Sequence, residues 1–221
     1  MNADVWPYTM VFENKREATA SAALVEVADT LDVNVFDPES VTCGPVTIGR
    51  RTFVPPIHDS GLDSVFDLRP EQPVGVHVRA TVEKETGVIK WRMAVVNPLD
   101  GRPLDDDLAG FLPPNVTAAQ GEGAVKFSVS RWPHVKTGTR INNGASIVFD
   151  TNAPIETPVR NVLDTEPPTS VVSTAVFGRA GEVHVTWAGQ DALSSELKYS
   201  IFVSENCGRV CRACASRSVA P

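Results

Sequence analysis

The sequence predicts an all-β fold, an antiparallel β-sandwich followed by a partial immunoglobulin-like β domain. Three observations predict it. Apolar residues recur along the 221-residue chain with a period of two, as in strands that bury one face. Pro and Gly, at 17 and 15 residues, interrupt these runs and mark turns. Many short strands between such turns are typical of a sandwich with Greek-key connections.

The clearest alternation forms a hairpin in the middle of the chain. Apolar residues occupy every second position over 74–82 and again over 89–95. The loop 84–87, Lys-Glu-Thr-Gly, joins the two runs. Two alternating runs around a short Gly-containing loop predict an antiparallel hairpin with one buried face. Trp91 lies on that face and is therefore expected in the core.

Further strands are expected on both sides of the hairpin, over residues 8–12, 24–28, 41–54, 125–129 and 145–149. The Ala-rich stretch 17–24 is also compatible with the start of a helix. The β-branched residues after it favour a strand. Phe149 shares a strand face with Ala145 and Ile147, so it too is expected to be buried.

A Pro-rich segment at residues 164–169 predicts a boundary between two domains, because consecutive prolines form a semi-rigid spacer. We expect the sandwich over 1–165 and a partial domain over 166–206. Three strands are predicted in that second part, around Val171–Val176, Val183–Trp187 and Tyr199–Val203. An immunoglobulin-like sandwich needs about seven strands, so the second domain is incomplete.

Composition and charge argue against several classes of partner. The net charge is −7 and the pI about 5.1, and no predicted strand carries a cluster of Lys and Arg. Nucleic-acid binding is therefore not expected. No apolar run approaches the ~18 residues of a membrane-spanning helix, so membrane insertion is not expected either. The first five residues do not begin a signal peptide. A cytoplasmic location and an excised fragment both remain open.

An Asp-rich turn is the candidate metal site. Asp100, Asp105, Asp106 and Asp107 supply the hard oxygen ligands that calcium prefers. The spacing does not match a calcium-binding loop of the EF-hand type. The competing interpretation is a solvated turn in which the carboxylates accept backbone N–H bonds. A metal-dependent hydrolase that uses this turn is the alternative function.

The cysteines near the C-terminus suggest a second kind of metal chemistry. The spacing Cys207-x₃-Cys211-x₂-Cys214 is similar to the cluster-binding motif of radical S-adenosylmethionine enzymes. Those enzymes place a large domain after the motif, whereas seven residues follow it here. Zinc held by these thiolates together with Cys43 is another interpretation. Unstructured thiols are the third.

Several segments carry a resemblance to a known kind of module. They are Pro7–Asn14, Gly110–Asn115, Gly121–Gly123 and Thr137–Asn143, followed by Ala145–Pro158. Together these segments resemble a β-sandwich module of very large secreted and surface proteins of environmental bacteria. The resemblance implies an architectural or adhesive role outside the cell and supplies no catalytic residues.

The second part resembles the first half of a fibronectin type III-like domain, on the positions of Trp187 and Tyr199. The tail 207–221, rich in Arg, Cys, Ala and Ser, departs from that pattern. It resembles out-of-frame translation of GC-rich DNA. We therefore expect a non-enzymatic structural or adhesive module of a larger extracellular bacterial protein. Its expected partners are other protein domains or surface ligands, with no cofactor apart from the calcium considered above.

Overall fold

The computed structural model describes residues 5–55, 61–106, 108–177, 183–200, 202–204 and 210–212. Their regular structure is entirely β, which confirms the predicted fold class. Within these ranges no helix is long and apolar enough to cross a membrane. The chain divides into two compact units, residues 1–163 and 164–221.

Ten strands are found among the described residues of the first unit. They are β1 (Val5–Glu13), β2 (Leu24–Thr30), β3 (Phe36–Ile48), β4 (Arg51–Phe53), β5 (Gly61–Asp67), β6 (Gly75–Glu83), β7 (Val88–Val96), β8 (Glu122–Arg131), β9 (Arg140–Phe149) and β10 (Ile155–Val162). One sheet has the strand order β1-β8-β3-β4 and the other the order β10-β9-β2-β7-β6-β5. Every neighbouring pair is antiparallel.

The predicted central hairpin is present as β6 and β7, whose register pairs Ala80 with Trp91. Gly87 closes the loop at a φ of 71°, a left-handed conformation that glycine adopts without steric cost. Trp91 is 1% exposed, so its predicted burial is confirmed. Its ring lies 5.6 Å from that of Phe127 on β8, which belongs to the other sheet. The two sheets therefore share one core, as in a sandwich.

Prolines within the strands lie where a missing N–H does least harm. Pro7 and Pro158 belong to β1 and β10, which are sheet edges. Pro38 and Pro45 belong to β3, an inner strand whose register with β8 shifts twice. One shift lies between 37 and 42 and the other between 43 and 46, so each proline falls within an irregularity. Edges and bulges are the positions where sheets tolerate proline.

The structure also shows where the period-two analysis was incomplete. It missed β5 and β10. Along β5 only Leu62 and Phe66 are buried, so the alternation is short. β10 is exposed along its whole length, which removes the alternation altogether. Phe149 is half-buried and contacts the core from the end of β9, so its predicted burial holds only in part.

The part of the second unit that the structure describes forms four strands, β11 (Thr169–Phe177), β12 (Val183–Gln190), β13 (Phe202–Ser204) and β14 (Val210–Arg212). β11 pairs with β12, and β13 pairs with β14. The predicted strand at 199–203 is wrong in its start, because Tyr199 lies outside any strand and Ile201 lies outside the described residues. The Tyr199 ring instead contacts Trp187 edge-on at 6.1 Å.

Replacing Trp91 with Ala should lower the free energy of unfolding by about 3–5 kcal/mol, because it leaves a large cavity between the two sheets. Urea denaturation followed by circular dichroism measures this loss. Val11→Ala on the exposed side of β1 is the matched control and should change stability by less than about 0.5 kcal/mol. Equal losses in the two variants would show that the strand faces are assigned backwards.

Candidate functional site

The Asp-rich turn lies in the connection between β7 and β8. The carboxylate of Asp100 accepts a hydrogen bond from the Arg102 N–H at 3.1 Å, and that of Asp106 accepts one from the Leu108 N–H at 2.9 Å. Asp105 is exposed, and Asp107 lies outside the described residues. Over the described ranges no three His, Cys, Asp or Glu side chains are grouped closely enough to hold a metal ion. Calcium binding at this turn stays a prediction.

A groove of about 410 Å³ lies beside this turn, between the connection and the six-stranded sheet. Its lining includes His77 and Arg92 from the sheet and Leu104 and Asp106 from the connection. His77 Nε2 lies 2.5 Å from a carboxylate oxygen of Asp63. The structure thus places one member of the Asp-rich turn next to two basic side chains of the sheet.

Four charged residues form a row across neighbouring strands next to the groove. The register sets Asp63 opposite Arg79, Arg79 opposite Arg92, and Arg92 opposite Glu26. Arg79 lies 2.8 Å from Asp63, and Arg92 lies 3.5 Å from Glu26. Hydrogen bonds from His77 and then from Arg79 lower the pKa of Asp63. Each arginine thus has a carboxylate partner, and exposed pairs of this kind add little stability.

The cysteine predictions are not resolved by the structure. Cys43 lies on β3 and is half-buried, and burial raises the pKa of its thiol, which disfavours the reactive thiolate. Cys211 falls on β14, whereas Cys207 and Cys214 lie outside the described residues. Metal binding by the C-terminal thiols therefore stays a prediction.

A buried carboxyl group, Asp29, was missed by the sequence analysis. It is 3% exposed and lies on β2, on the same face as Val25 and Val27. The amide Nδ2 of Asn143 donates a hydrogen bond to its Oδ2 at 3.2 Å. Its other oxygen is buried without a hydrogen-bond partner in the described part of the chain. The alternation of β2 was the signal that could have found it, because it places residue 29 inward.

Burial dominates the electrostatics around this group. It raises the pKa of Asp29 to about 6, although the hydrogen bond from Asn143 acts in the opposite direction. Tyr8, on β1 of the other sheet, interacts electrostatically with the negative charge of Asp29. Burial and then this charge raise the pKa of Tyr8 to about 12, so the phenol is neutral over the physiological range. Asp29 is thus a buried polar side chain in a core whose other buried residues, among those described, are hydrophobic.

Asn115, in the loop between β7 and β8, is the centre of a polar cluster held together by hydrogen bonds. Asn115 donates hydrogen bonds to the carboxylates of Glu13 at 2.7 Å and Glu122 at 3.1 Å. Its Oδ1 accepts a bond from the Gly121 N–H at 3.2 Å. A Cβ on Gly121 would lie 2.4 Å from the carbonyl oxygen of Pro113, so only glycine fits. The side chain of Asn115 thus holds the backbone of the loop in place through these hydrogen bonds.

Asp150 plays the same role after β9. Its φ of 51° is left-handed, a conformation that Asp tolerates better than most residues. Its Oδ1 accepts hydrogen bonds from the backbone N–H groups of Ala23 and Leu24, at 2.9 and 2.8 Å. The carboxylate thereby ties the end of β9 to the start of β2.

A family model matches part of the chain. Residues 110–162 match a family model described as "Domain of unknown function (DUF7619)". The match covers about a quarter of the chain and contains Asn115, Gly121 and Glu122 of this polar cluster, together with β8, β9, Asp150 and β10. No curated protein and no solved structure matches the chain. The matched family carries no functional description.

Replacing Asp29 with Asn should stabilise the protein at about pH 8 by about 2–3 kcal/mol. The pKa of Asp29 is about 6 in the folded protein and 3.8 in an ordinary environment. The folded state therefore holds the proton more tightly, and the stability linked to it is complete below about pH 4 and lost as the pH rises through 6. The difference between Asp29→Asn and wild type should accordingly shrink toward about pH 4.

Urea denaturation at several pH values measures this difference. Asp63→Asn is the control, because the pKa of Asp63 is lowered in the folded protein and this variant should bring no gain at high pH. A gain that is the same at every pH would show that the carboxyl group of Asp29 is not the cause.

Proposed function

We propose that this chain is a non-enzymatic structural or adhesive module of a larger extracellular bacterial protein. Other protein domains or surface ligands are its proposed partners. The use of polar side chains in the family-matched segment carries this proposal. Asn115, Glu122 and Asp150 all satisfy backbone or neighbouring side-chain groups. A segment whose polar residues hold strands and loops together supports a scaffold better than a reaction.

The outer face of the six-stranded sheet also favours a scaffold. His77, Arg79 and Arg92 have carboxylate partners within 3.5 Å. A catalytic base or nucleophile would need a shifted pKa together with access to a substrate. Asp29, whose pKa burial raises to about 6, is enclosed between the sheets.

We extend the proposal to the second unit as a partial fibronectin type III-like domain over residues 166–206, after a sandwich module over 1–165. The pairing of Val172 with Trp187 and the contact of Trp187 with Tyr199 support it. Val172 is 62% exposed, and Trp187, its partner on β12, is 38% exposed. An apolar strand surface of this kind is typical of a sandwich that lacks its facing sheet. The residues after 206 are proposed as a Cys- and Arg-rich tail, although the prediction that this tail is irregular is wrong at Val210–Arg212, which form β14.

A turnover assay tests the proposal against the hydrolase alternative. The purified chain should show no hydrolysis of model ester, phosphate, glycoside and peptide substrates above background, with or without added calcium. A double variant, Asp105→Asn with Asp106→Asn, is the matched control and should be indistinguishable from wild type. Calcium-dependent turnover that the double variant loses would contradict the proposal.

A further inference from the structure

The sequence Asn143-Gly144 on β9 lies directly beside the buried carboxyl group of Asp29. Of all the asparagines in the chain, Asn143 is the one that glycine follows. A glycine leaves its own backbone nitrogen sterically open to the preceding side chain. This sequence is therefore the most favourable one for attack of a backbone nitrogen on an asparagine amide.

The local geometry brings the two reacting groups together. The Gly144 N–H donates a hydrogen bond to Asn143 Oδ1 at 2.8 Å, which holds the side-chain amide next to the following peptide. Since a C=O bond is about 1.23 Å long, the amide carbon lies within about 4 Å of that nitrogen. Gly144 is opposite Pro158, which has no N–H, and lies just beyond the last pair of β9 with β2, Ala145 with Asp29. Asn143 itself is half-buried, so water reaches it.

Asp29 supplies the third component. Its Oδ2 lies 3.2 Å from Asn143 Nδ2, the atom that must leave as ammonia, and its Oδ1 has no hydrogen-bond partner in the described residues. Tyr8 is the titratable group that faces it from the other sheet and stays neutral. With a pKa of about 6, Asp29 is protonated in a large fraction of molecules near that pH, and can donate a proton to Nδ2.

We propose that Asn143-Gly144 is a self-modification site, at which the Gly144 nitrogen displaces the Asn143 amide with Asp29 as the proton donor. The bond between the Gly144 nitrogen and Asn143 Cγ forms while the N–H proton passes to solvent. The bond from Cγ to Nδ2 then breaks as Asp29 protonates Nδ2, which leaves as ammonia. Asp29 regains a proton from solvent. Water opens the resulting cyclic imide to aspartate or isoaspartate, so no oxidant or reductant is required.

The modification has a structural consequence at β9. The aspartate product places a second carboxyl group against buried Asp29, and two like charges at that distance repel. The isoaspartate product adds a carbon to the main chain, which shifts the alternation of β9 after position 143. Both products weaken the attachment of β9 to β2 and of β10 to β9. The folded protein therefore carries a site of slow self-modification on β9, the strand next to the edge strand β10 of its larger sheet.

Peptide mass spectrometry of the full chain, incubated for increasing times near pH 6, tests this proposal. Wild type should show the mass increase of an NH₂-to-OH exchange at Asn143 before any other asparagine. Asp29→Asn should slow the exchange severalfold. Gly144→Ala should abolish it within the measurement. Ala fits there, because its Cβ would lie 3.4 Å from the nearest atom and no positive φ is required.

The rate of modification is also measured in wild type unfolded in urea. Comparing it with the rate in native wild type gives a test that does not depend on whether the variants fold. The native chain should modify Asn143 at least as fast as the unfolded chain, because Asp29 is next to the amide only in the folded state. A slower native rate, or equal rates in folded wild type and folded Asp29→Asn, would overturn the proposal.

Discussion

The contact of Trp91 with Phe127 is the interaction on which the rest of the first unit depends. It joins the central strand β7 of one sheet to β8, an inner strand of the other, and both side chains are almost fully buried. Two sheets can exclude water from their facing sides only if large side chains fill the space between them. The remaining strands extend outward from these two by hydrogen bonding. The edges, β1, β4, β5 and β10, therefore depend on the centre.

Polar residues then close the ends of this core. Asn115 and Asp150 satisfy backbone groups where chains enter and leave the sheets. Both lie within the segment that matches a family of unknown function. In this segment, the side chains of Asn115 and Asp150 hold the backbone in place, which is the basis for proposing a structural or adhesive module. Asp29 is the exception, because its burial costs stability at neutral pH and its position beside Asn143 allows chemistry.

The sequence predicted the fold where burial produces a clear period of two. β6, β7 and β8 alternate strictly, and each was found. β10 was not predicted because it is exposed along its whole length. Tyr199 was predicted to lie in a strand, but it contacts Trp187 through its ring and makes no strand pairing. The candidate site was less accessible. The Asp-rich turn could be recognised from its run of aspartates in the sequence. Asp29 and Asn143, in contrast, are 114 positions apart in the sequence, and the register of β2 with β9 brings them into contact.

Denaturation of a fragment comprising residues 1–163 tests the central claim most directly, that the first unit is a complete sandwich with its own core. The fragment should unfold in urea in a single cooperative transition, with the same midpoint as the corresponding transition of the full chain. Its m-value should match the surface of the first unit, since m scales with the area exposed on unfolding. A fragment without a cooperative transition would contradict the account, because the core would then require residues from the second unit.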